Sequence, residues 1–133
     1  MKKDSTMNFC GIDIGDRFSR VFVIDADGKP LDGWRMPTTR KGLSKAFAGK
    51  EPMRIGLEVG THSSWITRDL EAMGHEVVVA NPRRLEAIWK NWKKSDAEDA
   101  KCLAKLVRSD PSLLSPVKHR SESEARHMSV VRS

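Results

Sequence analysis

The hydrophobic positions of this chain keep one rhythm up to about residue 50 and another after it. In the first stretch, Phe9 to Ile14, Arg20 to Asp25 and Leu31 to Met36 are short runs with β-branched or aromatic residues, parted by polar turns. Asp25-Ala26-Asp27-Gly28-Lys29-Pro30 is a strong turn signal, with Asp27-Gly28 suited to positive φ. The three runs predict an antiparallel meander. Gly42 to Ala48 predicts a short helix closed by Gly49. Strands then alternate with helices: strand Arg54 to Val59, helix Ser63 to Met73 with Gly74 after it, and strand Glu76 to Ala80. Asn81 and Pro82 have the chemistry of a helix cap and first turn. Ser95-Asp96-Ala97-Glu98 is a capping-box pattern opening another helix to about Arg108. Such alternation argues for parallel pairing. The predicted order is β-β-β-α-β-α-β-α, an α/β fold with a mixed five-stranded sheet flanked by helices.

Beyond Arg108 the composition turns to serine and proline, which predicts a linker over 109–120. Ser121 with Glu124 repeats the capping pattern, and Ala125, Met128 and Val131 follow at helical spacing. With no stop signal before Ser133, residues 121–133 are expected to begin a longer helical segment of a larger protein. Residues 1–8 are expected to be disordered, leaving 9–108 as the folded domain.

A chain of 133 residues suits one such domain. Its net charge of +6 favours an anionic partner, most simply nucleic acid. Cys10 and Cys102 have neither CxxC spacing nor a set of histidines beside them, so zinc and a disulfide framework are both disfavoured. Two unpaired cysteines suit a reducing cytoplasm. No run approaches the length of a membrane span, and Asp4-Ser5-Thr6 interrupts any leader-like start.

Four carboxylates stand where a specific chemistry would need them. Asp13 is expected inside the first strand, between the apolar Ile12 and Ile14, and Glu58 near the C-terminal end of the fourth. Desolvating an unpaired carboxylate costs far more than one strand residue returns, so Asp13 must have a partner. Asp96 and Asp99 are three apart on a predicted helix, which sets their Cβ atoms roughly 5–6 Å apart. Together the four make a hard oxygen cage suited to Mg²⁺ or Mn²⁺, and a pair of such ions activates a nucleophile and stabilises a leaving oxygen in phosphoryl transfer. Each acid also has a plainer reading: Asp96 and Asp99 suit the first turn of any helix, and Glu58 could end a strand in solvent. Asp13 is the hardest to explain structurally.

Arg83, Arg84, Lys90, Lys93 and Lys94 precede the last two aspartates, with Trp89 and Trp92 among them. Cations beside an acidic site attract phosphates, and Trp92 could stack on an unpaired base, whereas Trp89 falls on a core-facing stripe. Lys118 and Arg120 extend the positive charge into the tail. His62 is expected near Glu58, and His75 in a structural role after a helix end.

Gly11-Ile12-Asp13-Ile14-Gly15, Leu57-Glu58-Val59-Gly60-Thr61-His62-Ser63, Val79-Ala80-Asn81-Pro82 and Ser95-Asp96-Ala97-Glu98-Asp99-Ala100 follow one another in this order. In that order and spacing the chain resembles, from about Asn8 onward, the N-terminal domain of DEDD-type insertion-sequence transposases related to the Piv DNA invertase. The resemblance implies a ribonuclease H-like fold of the RuvC type followed by a coiled-coil helix. It also implies that Asp13, Glu58, Asp96 and Asp99 are the four metal-binding catalytic acids. It further implies a bacterial or archaeal protein at the nucleoid, DNA as substrate, a structured bridge RNA as guide, and homo-oligomerisation through the C-terminal helix. Relatives of this kind continue into a C-terminal domain with a serine nucleophile, and many carry arginine where this chain has Ala97. The expected function is Mg²⁺-dependent DNA strand cleavage and exchange in transposition. The alternatives are a stand-alone Holliday-junction resolvase of the same fold, the front lobe of a sugar kinase or actin-like ATPase, and a non-catalytic nucleic-acid-binding remnant.

Overall fold

A computed structural model describes residues 7–81, 83 and 99–109. Five strands, β1 (Asn8–Asp13), β2 (Phe18–Ile24), β3 (Pro30–Pro37), β4 (Met53–Glu58) and β5 (Glu76–Ala80), form one sheet in the order β3-β2-β1-β4-β5. The β1-β2 and β2-β3 pairs are antiparallel, as the meander requires, and β1-β4 and β4-β5 are parallel. Helices α1 (Arg40–Phe47), α2 (Ser63–Ala72) and α3 (Asp99–Ser109) complete the described fold. The expected mixed α/β sheet of ribonuclease H-like type is observed.

Alternation along the strands divides the core in two. Cys10, Ile12, Val21, Val23, Ile55, Leu57 and Val79 face α1 and α2, where they meet Leu43, Phe47, Ile66 and Leu70. On the opposite face Phe9, Val78 and Ala80 meet Leu103, Leu106 and Val107 of α3. Gly11 and Gly56 are register partners on β1 and β4, on this α3 side. A Cβ on Gly11 would lie 2.0 Å from the Ala100 carbonyl oxygen and 2.7 Å from the Ala104 nitrogen. A Cβ on Gly56 would meet Val107 Cγ1 at 2.6 Å. The glycine pair is therefore a trough that lets α3 lie directly on sheet backbone.

The far end of α3 is tied down. The Arg54 guanidinium on β4 donates to the Val107 carbonyl (3.3 Å) and pairs with Glu76 of β5 (3.1 Å), while Arg108 donates to the Ala26 carbonyl (2.8 Å). With these contacts near the beginning of β4 and at the β2-β3 turn, α3 runs opposite to β1 and begins beside that strand's C-terminal end.

Several element edges differ from expectation by a residue or two. Thr39 caps α1 by accepting from the Gly42 N–H (3.0 Å), so the helix begins at Arg40 rather than Gly42. β2 begins at Phe18 instead of Arg20, because Ser19 is held within the strand by Thr38. The turn glycines behave as predicted: Gly28, Gly49 and Gly74 have φ of 89°, 78° and 96°. His75 is structural. Its Nδ1 accepts from the Met53 N–H (3.1 Å), and its Nε2 donates to the Phe47 carbonyl (3.2 Å). Trp89, Trp92, the 109–120 linker beyond Ser109 and the 121–133 helix lie outside the described residues, as do residues 1–6.

Candidate metal centre

Asp13 is the last residue of β1, not an interior one, and Glu58 is the last residue of β4. Their strands run parallel with Ile12 opposite Leu57, so the next rung sets Asp13 beside Glu58. Neighbouring strands are separated by about 4.8 Å, and side chains on one rung share a face. Both carboxylates project on the α3 face, two residues beyond the glycine trough. Both are half-buried. A strand end serves a charged group better than a strand interior, because one side stays open to solvent and ligand.

They line a cleft of about 150 Å³ together with Asp16, Gly60, His62 and Leu103. The same rung continues across the meander, where Asp13 pairs with Arg20 and Arg20 with Arg35. The acids and these cations therefore form one charged row across four strands.

The loop between β1 and β2 is fixed by a compact set of polar contacts. Thr38 Oγ1 donates to the Gly15 carbonyl (2.7 Å), so Ser19 Oγ donates to Thr38 Oγ1 (2.7 Å). Ser19 Oγ in turn accepts from the Gly15 N–H (3.4 Å), and the Thr38 N–H donates to the Arg17 carbonyl (2.8 Å). These contacts hold Asp16 at the cleft rim. Sequence reasoning missed both hydroxyls, since a serine and a threonine nineteen residues apart give no local signal.

His62 precedes α2 and faces the same rim. The Trp65 indole N–H donates to His62 Nδ1 (3.1 Å), which leaves the ring proton on Nε2 to be donated to Asp16 Oδ1 (3.3 Å). His62 was expected close to Glu58, and it lines the cleft with it. Ser63 is a helix-start residue: its Oγ and the Gly60 backbone exchange hydrogen bonds at 3.0 Å.

Of the remaining sequence candidates, Asp99 opens α3, whose next residue packs on Gly11, two positions before Asp13. Asp96, Arg84, Lys90, Trp92, Lys93, Lys94, Lys118 and Arg120 lie outside the described residues. Arg83 is exposed, and its N–H donates to Asn81 Oδ1 (2.9 Å). Among the described residues, no three His, Cys, Asp or Glu side chains form a group able to hold a metal ion. The described donors are two carboxylates, and their chemistry fits a hard divalent cation better than zinc.

Over residues 10–132 the chain matches the DEDD family of IS110 type, described as a transposase. The chain belongs to this transposase family. No curated protein matches the transposase chain. Among solved structures it is similar to the ethanolamine utilization protein EutJ from Carboxydothermus hydrogenoformans, at 18% identity and a TM-score of 0.37. That similarity covers 59% of this chain and 40% of that one. Among the described residues of the transposase chain, no helix is long and apolar enough to cross a membrane.

Proposed function

We propose that the chain is the metal-dependent, DNA-cleaving domain of a transposase, with Asp13, Glu58, Asp96 and Asp99 as its metal ligands. The observation that carries this reading is the placement of Asp13 and Glu58 side by side at parallel strand ends, on the face where α3 begins with Asp99. The family match supplies the reaction class. A pair of Mg²⁺ or Mn²⁺ ions bound there would supply an activated nucleophile and charge neutralisation at the scissile phosphate.

The chain's own residues account for the rest. The glycine trough sets the beginning of α3 against β1, which supports a role for Asp99 beside Asp13. The Gly15-Ser19-Thr38 contacts hold the loop that carries Asp16 at the rim of the cleft. His62, with its proton directed at Asp16, closes the cleft on the α2 side. Arg83, Arg84, Lys90, Trp92, Lys93, Lys94, Lys118 and Arg120 are the proposed nucleic-acid contacts. A structured RNA guide and homo-oligomerisation through the segment from residue 121 belong to the same reading, on the strength of family resemblance.

End-labelled branched and single-stranded DNA, incubated with the chain and Mn²⁺, tests the proposal. Cleavage is expected to require the metal and to disappear in Asp13→Asn and Glu58→Gln. Cleavage that survives both substitutions would place the chemistry elsewhere.

A further inference from the structure

Among the described residues, the α3 face of the sheet is only partly covered. Helix α3 packs over β1, β4 and the middle of β2, where Lys101 Nζ sits 5.8 Å from the Phe22 ring. The other end of β2 and its neighbour β3 present Phe18, Arg20 and Arg35 on that face to solvent. Phe18 is 49% exposed, although aromatic side chains of this size are ordinarily buried. It is not bare: the Arg35 guanidinium lies over its ring, with Cζ 4.6 Å from the centroid. Stacking of this kind holds both side chains in one orientation. Both side chains remain exposed, so part of the ring and the Arg35 charge stay accessible.

Position gives this pair its meaning. Arg35, Arg20, Asp13 and Glu58 stand in one row on consecutive strands. With about 4.8 Å between strands, Arg20 and Arg35 lie about 5 and 10 Å from Asp13 along the sheet, with Glu58 one strand further on. Phe18 is one same-face position along β2 from Arg20. A polyanion carrying flat rings would meet cations for its charge and an aromatic for a ring, on the direct path to the carboxylates. A peptide or a lipid surface would gain nothing from that alternation of ring and charge beside an acidic cleft.

We infer that Phe18 and Arg35, with Arg20, form a platform for an unpaired strand of DNA, which stacks a base on Phe18 and passes its backbone toward Asp13 and Glu58. The inference rests on the nucleic-acid-cleaving reading for its direction, but the platform needs no metal. Duplex DNA does not suit it, because paired bases present no free face for stacking.

Binding is therefore measured with EDTA present, by fluorescence anisotropy of the chain with labelled oligo(dT), a hairpin duplex and oligo(rU) at low salt. Phe18→Ala is expected to weaken oligo(dT) binding about ten-fold or more, with Phe18→Trp retaining it and the hairpin little affected. Arg35→Gln is expected to weaken binding and lower the salt dependence by about 0.7 in slope, the contribution of one phosphate contact to a single strand. Arg68→Gln, on α2 at the other face, serves as the control, and thermal melts confirm that each variant folds.

Absence of oligo(dT) binding would overturn the platform, as would equal losses in Phe18→Ala and Arg68→Gln. A Phe18-dependent preference for oligo(rU) would overturn its assignment to DNA, and equal loss of hairpin binding would overturn its assignment to unpaired strands. An Asp13-dependent response to Mn²⁺ that persists while Phe18→Ala has no effect would refute the platform alone. Loss of the Mn²⁺ response with Phe18-dependent binding intact would refute the metal centre alone.

Discussion

Gly11→Ala is the perturbation that most directly probes how α3 is docked. The added Cβ would fall 2.0 Å from the Ala100 carbonyl oxygen, 2.7 Å from the Ala104 nitrogen and 2.9 Å from Leu103 Cβ. None of these atoms is the end of a flexible side chain, so no rotamer change relieves the clash. Ordinary contact begins at 3.4 Å, and the helix must therefore move by about 1.4 Å at its first turn. That motion loosens the buried Ala100, Leu103, Ala104 and Val107 together. Overpacking costs typically about 1–3 kcal/mol, and a clash with backbone belongs at the upper end. For a domain of this size, about 3 kcal/mol lowers Tm by roughly 10 °C. Gly56→Ala meets the Val107 methyl at 2.6 Å and otherwise only an ordinary contact at 3.5 Å, so it should cost about 1 kcal/mol. Gly49→Ala meets nothing within 4 Å and carries only the strain of a φ of 78°, also about 1 kcal/mol. Urea titrations followed by tryptophan fluorescence would rank the three variants. A Gly11→Ala chain as stable as the parent, or one less perturbed than Gly56→Ala, would refute the trough.

Other consequences concern buried polar groups. Thr38→Val removes the hydroxyl that joins Ser19 to the Gly15 carbonyl, and should cost about 1–3 kcal/mol by chemical denaturation, more than Thr39→Val at an exposed cap. Thr67 Oγ1 is buried with no hydrogen-bond partner among the described residues, so Thr67→Val should raise stability by about 1 kcal/mol, measured the same way. Burial pushes the Cys10 thiol far above its ordinary value of 9.0. Above that pH the unfolded chain releases a proton that the folded chain retains, so this thiol's stabilisation is full below pH 9.0 and falls by about 1.4 kcal/mol per unit above it. Denaturation at pH 8 and pH 10 should show that loss, reduced by about this amount in Cys10→Ala.

Much of the architecture can be read from local chemistry. Asp27-Gly28, Gly49 and Gly74 mark their turns because only a few residues accept positive φ, and each is found there. The change from consecutive strands to alternating strand and helix anticipates antiparallel and then parallel pairing. What was illegible depends on contacts distant in sequence. Gly11 and Gly56 are helix-docking positions only because α3 returns to them from residues 100–107, although glycine inside a strand pattern is itself a sign of close backbone approach. Asp13 is expected inside the strand because Ile14 resembles a strand residue, whereas Ile14 lies past the end of β1. Phe18 falls in a polar stretch with no local sign of a strand face, and its partner Arg35 is seventeen residues away in sequence.

Everything proposed for catalysis rests on the Asp13 and Glu58 carboxylates forming part of a divalent metal site. The decisive experiment is a set of thermal melts across a Mn²⁺ titration, with Asp13→Asn, Glu58→Gln and the distant Arg68→Gln in parallel. A ligand held only by the folded state at about 100 times its Kd adds about 2.7 kcal/mol of stability. A Mn²⁺-dependent rise in Tm of several degrees is expected for the parent and Arg68→Gln, lost in Asp13→Asn and Glu58→Gln. An equal rise in all four proteins, or none in the parent, would contradict a metal site there.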